Sequence, residues 1–584
     1  MMGAASPSNP AQPAGRFALA PSNLRRFCWL IVSVVGLLEA LGHSFQMGDD
    51  GVNYLEVADN YLRGDWHNAV NAYWSPLYSW LLAIPIPFLH SSLYWESTRV
   101  HLVGFVIFLA SYAAFEFLLT ELLRSPLMVR SGNDAAVGLS KFAWRILGLA
   151  LFLYASLFLA EYNGTTPDLC VAVAVFAATG LLLRIQSGRA GCGTYAWFGT
   201  ALALGYLAKA AMFPLSFIFF GVAFFASPAR EKHRSRILAA GFVFALIAGP
   251  WVAVLSHSKG RLTFGDSGKY AYLTAMNTGW KSGFKGLSSP DDSQYVHTFA
   301  KLADHPEALG FATPVSGSFP PAYDASYWLE GAKARFRWGA QLAILHGSYD
   351  SYLDILLGEK GLLAGFLVLV LVQGKFRLFL ATLARSWTLW LPSLAALGMY
   401  ALVLVQTRYV APFVALIWIA LFASLRFPGS GETQRWLLAV PIAILLVVAL
   451  PIARSLVSDV YRSFRPEPFE DWEVAGALHR SGVPSNYSIA IIGLPAGTLY
   501  WARLAGVRIV AAVPPRAVGD YWSASPDVQA HVNSLLAQTG AIAAVSSAPP
   551  PNRNLPGWTQ LASSPYYLTL FPAAPQSDSS HPHE

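Results

Sequence analysis

The sequence predicts a polytopic α-helical membrane protein of about eleven spans with a small C-terminal extracytoplasmic α/β domain. Of its 584 residues, 54% are hydrophobic and only 12% are charged, which is about half the charged fraction of a typical soluble domain. Apolar runs long enough to cross a bilayer recur from Phe27 to Leu456. After Leu456 the composition changes to that of a soluble domain.

Basic residues in the short loops give the predicted orientation. Arg25 and Arg26 place the N-terminal tail, residues 1–26, in the cytoplasm. The net charge of +7 lies largely in such loops, so we expect a lipid bilayer and no nucleic acid as partner. The predicted spans of the transmembrane domain, residues 27–456, are 27–46, 100–122, 146–162, 169–186, two short spans within 195–226 that meet at Lys209, 237–256, 353–373, 389–406, 409–425 and 436–456.

Two long segments are predicted on the outer side. In outer loop 1, residues 47–99, the amphipathic stretch 52–63 predicts a helix on the membrane surface. Residues 77–89, interrupted by two prolines, predict a short re-entrant or interfacial piece. The large outer loop, 257–350, is long enough to suggest a function. It carries many aromatic residues: Tyr270, Tyr272, Trp280, Tyr295, Tyr323 and Trp328.

The segment after the last span predicts an extracytoplasmic α/β domain over residues 457–572, because an odd number of spans places it outside. Short apolar runs alternate with helical patterns. The predicted helices are 469–480, 495–504 and 526–539, and the predicted strands are 488–492, 507–512, 541–546 and 566–571. The tail, 573–584, has a composition typical of disorder.

An acidic pair, Asp49 and Asp50, follows the first span at its outer end. A carboxylate at the boundary between water and lipid can act as a base toward a lipid-borne substrate. The alternative is a helix N-cap, since an Asp there accepts hydrogen bonds from free backbone N–H groups. One cap does not need two adjacent carboxylates, which favours a catalytic role for at least one of them.

Three further charged residues are predicted on the same outer face. Asp168 follows Thr166 and Pro167, a sequence that could also be a simple helix start. Lys209 and Arg408 interrupt apolar runs, where a charge is unfavourable by a few kcal/mol at mid-membrane. Their side chains could extend to the interface, or they could bind an anionic phosphate group.

The sequence carries no other catalytic constellation. The segment from Trp74 to Tyr78 could be an interfacial aromatic belt with a helix-initiating proline. The three cysteines have no metal-ligand or disulfide spacing, and we predict no metal-ligand residues. Glu39 and His43, within the first span, are expected to form interhelical hydrogen bonds or to mark the end of the span.

Five segments, in this order, resemble the motifs of the GT-C glycosyltransferases, polytopic enzymes that use polyprenyl-phosphate-linked sugars. The likeness is greatest to bacterial relatives of protein O-mannosyltransferases and lipid A aminoarabinose transferases, and it covers about residues 25–425. Gly51 stands where the family commonly has Glu, and Ser75 where it has Pro. The five segments are Asp50 to Tyr54, Trp74 to Tyr78, Thr166 to Asp168, Leu207 to Lys209, and Arg408 to Pro412.

The resemblance implies an inverting membrane glycosyltransferase of the bacterial inner membrane. Its donor would be a polyprenyl-phosphate sugar and its acceptor an extracytoplasmic lipid, glycan or protein. Asp50, helped by Asp49, would be the catalytic base. Contacts with the substrates would come from Asp168, Lys209, Arg408, Tyr409, Tyr54, Trp74 and Tyr78. No cofactor is required by the sequence, although a divalent cation is compatible with the site.

Two other classes of function are compatible with a polytopic chain. A transporter or flippase of a lipid-linked sugar would carry inverted repeats and charges near the membrane midplane, and the sequence shows no such repeat. A non-catalytic membrane scaffold would leave the charges on one face unexplained. A glycosyltransferase predicts that Asp50, Asp168, Lys209 and Arg408 meet in one outer cavity.

Overall fold

A computed structural model gives the fold. It describes residues 21–88, 92–128, 137–226, 230–278, 296–311, 315–373, 376–428, 431–464, 469–493, 499–547 and 556–572. The predictions for most of the N-terminal tail, for Trp280 and Tyr295, and for the tail 573–584 lie outside these residues.

Helices occupy every predicted span. Six of them, within the described residues, are long and apolar enough to cross a membrane, and a seventh is added if the helices Trp338–Gly358 and Lys360–Gln373, bent by 73°, form one span. The helices of the transmembrane domain are α1 Pro21–Gly42, α5 Glu96–Leu123, α6 Lys141–Leu153, α7 Asp168–Gln186, α8 Cys192–Ala208, α9 Met212–Ala226, α10 Arg230–Ser258, α14 Trp338–Gly358, α15 Lys360–Gln373, α16 Phe376–Arg385, α17 Trp387–Ala401, α18 Thr407–Ser424 and α19 Gly431–Phe464.

The count of eleven spans stays a prediction. The helices α8, α9 and α17 have 17, 15 and 15 residues. At 1.5 Å per residue such helices are about 23–26 Å long, somewhat less than the hydrocarbon thickness of about 30 Å. The six helical segments that pass by length and composition are Leu93–Leu123, Lys141–Leu159, Asp168–Gln186, His233–Ser258, Thr407–Ser424 and Arg435–Tyr461.

Outer loop 1 folds into three helices, α2 Asp49–Arg63, α3 Trp66–Ala69 and α4 Pro76–Ala83. The prediction that its amphipathic helix lies on the membrane surface was wrong, because most of α2 is buried within the protein. Asn60 donates to the hydroxyl of Tyr323 at 2.6 Å, and Glu56 accepts from the backbone N–H of Ser318 at 2.9 Å. The large outer loop therefore covers α2. The eight residues of α4 span about 12 Å and do not cross a bilayer.

The large outer loop and the C-terminal segment share one seven-stranded sheet, in the order β1-β2-β4-β3-β5-β7-β6. The strand β3 is parallel to β4 and β5, and the other pairs are antiparallel. The strands are β1 Ala300–Asp304, β2 Glu307–Gly310, β3 Ser488–Ile492, β4 Arg508–Val513, β5 Ala541–Ser546, β6 Thr559–Gln560 and β7 Tyr567–Leu570. The remaining helices are α11 Ser267–Thr278, α12 Pro320–Tyr323, α13 Ala325–Trp328, α20 Glu470–Arg480, α21 Tyr500–Ala505, α22 Val518–Ser523 and α23 Pro526–Gln538.

The four predicted C-terminal strands are found within one residue of their predicted ends. The pairing of β2 with β4 was not predicted, and it means that the large outer loop is built into the α/β sheet. Arg503, on α21, fixes this layer onto α2 and α5. Its guanidinium contacts Asp59 at 2.8 Å and both carboxylate oxygens of Glu96 at 2.7 and 3.0 Å.

Candidate active site

Four separate chain segments position the charged residues of the site. Asp50 lies in the first turn of α2, and Arg408 lies in the first turn of α18. Asp168 begins α7, as the sequence predicts. Lys209 lies at the break between α8 and α9, where its extended backbone (φ −156°) ends α8. All four residues therefore lie at a helix end or at a break between two helices.

The loop before Asp168 has an irregular backbone. A π-helix, Tyr154–Leu159, ends α6, and π-helical turns occur frequently at functional sites. Glu161 and Thr165 then adopt the left-handed conformation, with φ of 49° and 50°. Such a conformation is unfavourable for residues other than glycine. The loop therefore turns sharply, which brings Glu161 and Asp168 to the same side of the membrane domain as α2.

The four charged side chains form one chain of ion pairs. Arg408 Nη1 lies 2.9 Å from Asp50 Oδ2, and Arg408 Nε lies 3.8 Å from Asp168 Oδ2. Lys209 Nζ lies 2.5 Å from Asp168 Oδ1. The Asp168 side chain is 1% exposed, so its charge is stabilised by the two cations together with the hydroxyl of Thr166 at 2.9 Å. Asp168 thus holds both cations in place.

Tyr409 completes this cluster. Its ring lies 3.4 Å from Lys209 Nζ and 5.2 Å from the guanidinium carbon of Arg408. A cation over an aromatic face is stabilised by about 0.5–2 kcal/mol, the larger values applying where water is excluded. The aromatic ring therefore helps Asp50 and Asp168 to hold two positive charges close together.

A cavity of about 490 Å³ opens beside the cluster. Asp50 and Arg408 are at its wall, and the other residues lining it are Gly48, Asp49, Glu161, Gly164, Gln406 and Thr407. Its lining contains three carboxylates and one guanidinium. Asp168, Lys209 and Tyr409 lie behind this wall rather than on it.

Asp49 and Asp50 have different surroundings. Asp49 Oδ1 accepts a hydrogen bond from the backbone N–H of Leu499 at 3.2 Å, a residue 450 positions away in the C-terminal segment. Although Asp49 is exposed to the cavity, the surrounding protein desolvates its carboxyl group and raises its pKa, while the Leu499 bond acts in the opposite direction. No side-chain cap is made at the start of α2. Asp49 therefore contacts the C-terminal layer, whereas Asp50 contacts Arg408.

The structure gives a reason for Gly51, where the resembling family commonly has Glu. A Cβ atom at this position would lie 2.4 Å from the hydroxyl of Thr165 and 2.8 Å from the sulfur of Met47. Thr165 also accepts from the backbone N–H of Gly48 at 3.2 Å. Any side chain at position 51 would have to displace Thr165, so this chain cannot place a second acid there.

The three predicted aromatic residues of outer loop 1 form a packed group behind the cavity. The ring of Tyr54 lies edge-on to Trp74 and Tyr78, with centroid distances of 4.9 and 5.1 Å. Tyr78 is fully buried, and Trp74 donates its indole N–H to the carbonyl oxygen of Ala322 at 3.3 Å. None of the three is among the residues that line the 490 Å³ cavity.

Several residues at the cavity could not have been chosen from the sequence. Thr165 and Leu499 are ordinary residue types, and their positions depend on the left-handed turn and on contact with the C-terminal layer. Gln406 accepts from Arg408 Nε at 3.1 Å. Its only signal in the sequence is its place two residues before Arg408.

Metal-ligand side chains meet at a different place. In the described part of the chain, one group of three such side chains has its ligand atoms within 4.8 Å of one another: Glu39, His43 and Asp459. The cavity carboxylates Asp49, Asp50 and Glu161 do not form such a group among the described residues.

The comparisons with known proteins give distant likenesses. No family model matches the chain, and no curated protein matches it. Among solved structures it is similar to the apo oligosaccharyltransferase of Archaeoglobus fulgidus, with 14% identity and a TM-score of 0.49 over 89% of this chain and 69% of that chain. It is also similar to ArnT from Cupriavidus metallidurans bound to undecaprenyl phosphate, with 13% identity and a TM-score of 0.41. This match covers 93% of this chain and 97% of that chain. The apo state of the same ArnT is similar with 15% identity and a TM-score of 0.40, over 93% of this chain and 98% of that chain.

Proposed function

We propose that this protein is a GT-C type membrane glycosyltransferase that moves a sugar from a polyprenyl-phosphate donor to an extracytoplasmic acceptor. The observation that carries the proposal is the meeting of Asp50, Asp168, Lys209 and Arg408 beside one cavity. A transferase of this kind needs a base for the acceptor and cations for the phosphate, and the cluster supplies both.

Arg408 links the two halves of the proposed chemistry. In this structure its guanidinium is paired with Asp50, and this ion pair occupies Oδ2 of that carboxylate. A donor phosphate, which is a diester with one negative charge, would offer Arg408 two oxygens in a geometry that suits a planar guanidinium. Arg408 would then turn from Asp50 to the phosphate, so that donor binding frees Asp50 to accept a proton.

The reaction is a single displacement. The acceptor oxygen or nitrogen forms a bond to the anomeric carbon while the bond from that carbon to the phosphate oxygen breaks. Asp50 takes the acceptor proton, and polyprenyl phosphate leaves. One displacement inverts the anomeric configuration, and base catalysis of this kind contributes about 10²–10⁴-fold.

Lys209 and Arg408 would stabilise the departing phosphate. Negative charge develops on the leaving oxygen, and cations fixed in advance lower the energy of that state without reorganising. Asp168 is the positioning residue, because its two oxygens contact the two cations. Tyr409 would keep Lys209 at the required place through its ring.

A divalent cation could add to this site. Three carboxylates, Asp49, Asp50 and Glu161, line the cavity against one guanidinium, and carboxylates are the ligands that Mg²⁺ and Mn²⁺ prefer. A bound cation would neutralise charge on the donor phosphate. The side chains would have to move closer together to bind one ion.

The finer assignments follow the sequence resemblance. We propose an enzyme of the bacterial inner membrane, related to protein O-mannosyltransferases and aminoarabinose transferases, with its N-terminus in the cytoplasm. The α/β sheet would lie outside and face a lipid, glycan or protein acceptor. Its contact with Asp49 through Leu499 supports a place next to the acceptor. Tyr54, Trp74 and Tyr78 would shape the donor side of the site from behind.

The test is sugar transfer by the full-length protein in proteoliposomes, supplied with synthetic polyprenyl-phosphate sugars and cell-envelope acceptors. We expect loss of donor with release of polyprenyl phosphate, and a product of inverted configuration. Asp50→Asn should abolish most transfer. Asp65→Asn is the matched control, since Asp65 caps α3 in the same loop and Asn caps helices equally well.

Two outcomes would overturn the proposal. If the donor crosses the bilayer but its sugar is never transferred, the protein is a transporter of lipid-linked sugar. If Asp50→Asn and Asp65→Asn give equal rates, Asp50 is not the base.

A further inference from the structure

The ends of α5 and α7 that point away from the cavity carry three arginines around one buried carboxylate. The carboxylate belongs to Glu121, whose side chain is 0% exposed. Arg184 Nη2 lies 2.6 Å from its Oε1, and Arg189 Nη2 lies 2.8 Å from its Oε2. Arg124 Nη1 lies 3.9 Å from Oε1. These four residues are called the Glu121 cluster below.

Helix periodicity and a glycine turn bring the arginines together. Glu121 and Arg124 are three residues apart at the end of α5 and therefore lie on the same face. Arg184 lies in the last turn of α7. Gly188, with a φ of 69°, then turns the chain, and the backbone N–H of Arg189 donates to the carbonyl oxygen of Arg184 at 3.2 Å. Two arginines from the end of α7 thus contact a carboxylate on α5.

The Glu121 cluster has a surplus of positive charge. Within the described part of the chain, Glu121 provides the one carboxylate within 4.0 Å of these three guanidinium groups, so the cluster has a net charge of +2. Arg184 and Arg189 each contact a different oxygen of Glu121. Arg124 is 63% exposed and lies beyond hydrogen-bond distance from Glu121, so its guanidinium can donate to a second anion.

The cluster lies at the level of a membrane surface. Asp168, beside the cavity, begins α7, and Arg184 follows it by sixteen residues, which is about 24 Å of helix at 1.5 Å per residue. The hydrocarbon layer of a bilayer is about 30 Å thick, and long basic side chains extend toward its surface. Because both α5 and α7 are long and apolar enough to span a membrane, the arginines reach the headgroups of the leaflet opposite to the cavity.

An apolar surface adjoins the arginines on the side of the bilayer centre. Phe117 precedes Arg124 by seven residues on the same face of α5, and its side chain is partly exposed. Its ring lies 5.1 Å from the guanidinium carbon of Arg184. A Cβ atom at position 180 would lie 2.6 Å from this ring, so Gly180 permits the ring to pack on α7. Cations above an apolar surface match a phospholipid, which joins a charged headgroup to acyl chains.

We propose that Arg124, Arg184 and Arg189 bind the phosphate of one anionic phospholipid in the leaflet opposite to the cavity. Guanidinium groups bind phosphate oxygens through paired, charge-assisted hydrogen bonds. Basic pockets between membrane helices bind anionic headgroups in this way. An acyl chain of the lipid would lie along Phe117. The proposal concerns lipid binding and does not depend on glycosyl transfer.

The experiment is native mass spectrometry of the full-length protein in detergent, with phosphatidylglycerol added. We expect the wild type to retain one phosphatidylglycerol per chain at concentrations where phosphatidylcholine with the same acyl chains is lost. One arginine near a membrane surface strengthens the binding of anionic lipid about fivefold. Arg124→Gln should therefore weaken phosphatidylglycerol binding about fivefold, and the double variant with Arg189→Gln should weaken it further.

Arg516 gives the matched control. Its side chain is 45% exposed and also pairs with one carboxylate, that of Glu307, but it lies in the α/β layer. Arg516→Gln removes the same charge from the protein and should leave the affinity for phosphatidylglycerol unchanged. Inorganic phosphate is the second control, because it has the charge of the headgroup without an acyl chain, and it should not displace the lipid.

Three results would overturn the proposal. Equal retention of phosphatidylglycerol and phosphatidylcholine would show that the arginines do not recognise the charge of the headgroup. Equal lipid affinities of Arg124→Gln and Arg516→Gln would show that only the net charge of the protein matters. Displacement of the lipid by inorganic phosphate would indicate a site for a soluble anion. If Arg124→Gln does not fold, the comparison of the two lipids on the wild type decides.

Discussion

Arg503 offers the sharpest prediction about how the C-terminal layer is held. Its side chain is 11% exposed and contacts Glu96, whose side chain is 4% exposed, and Asp59, which is 25% exposed. Replacing Arg503 by Ala leaves these carboxylates near a buried space without their guanidinium. Breaking one partner of a buried ion pair destabilises a protein by about 3–5 kcal/mol, because the remaining charge is uncompensated.

Arg516 is a matched control in the same layer. It also makes two bonds to one carboxylate, that of Glu307, at 2.6 and 2.7 Å, but its side chain is 45% exposed. An exposed ion pair contributes about 0–1 kcal/mol. We therefore expect Arg503→Ala to destabilise the protein by about 3 kcal/mol more than Arg516→Ala does.

The assay is denaturant titration of the full-length protein in mixed micelles, followed by tryptophan fluorescence. In the Arg503→Ala background, Glu96→Gln should recover part of the lost stability, because it removes the stranded charge. Equal free energies of unfolding for Arg503→Ala and Arg516→Ala would show that burial does not make the Arg503 ion pair more stabilising than an exposed one.

Three further predictions concern packing, pH and charge. Gly51→Ala should destabilise the protein by about 1–3 kcal/mol, because the added Cβ clashes with Thr165. Gly193→Ala is the control and should not destabilise it, since a Cβ at position 193 meets nothing within 4 Å. Thermal unfolding distinguishes the two variants. Burial raises the pKa of Glu56 above 4.5, so the folded protein binds the Glu56 proton more tightly than the unfolded chain does. The free energy of unfolding should therefore fall as pH rises from about 4.5 through the raised pKa. The Glu56→Gln variant should lack this pH dependence. Lys209→Met should lower kcat at saturating donor, and an unchanged kcat would argue against its role at the leaving phosphate.

The sequence predicts the local features of this fold well. Apolar runs and basic loops predict a helix for every span but not α16, Phe376–Arg385, and short alternating runs give β3, β4 and β5. Asp168 and Lys209 could be chosen because a charge at the end of an apolar run is costly without a function or a partner. Periodicity and charge are local properties, so they can be read without knowing the neighbours.

The remaining features depend on contacts between distant segments. An amphipathic helix has the same pattern on a membrane surface as beneath a protein loop, so the burial of α2 under Tyr323 could not be read from residues 52–63. The pairing of β2 with β4 and the meeting of His43 with Asp459 each join segments far apart in the chain. The departure at Gly51 has a physical reason only once Thr165 is seen beside it.

We propose that Asp50 takes the acceptor proton when donor binding releases it from Arg408. The most direct measurement is the single-turnover rate of sugar transfer from a saturating polyprenyl-phosphate sugar, with wild-type and Asp50→Asn proteins in the same vesicles. We expect a rate about 10²–10⁴-fold lower for Asp50→Asn, with donor binding retained. A single-turnover rate for Asp50→Asn equal to that of the wild type would contradict it.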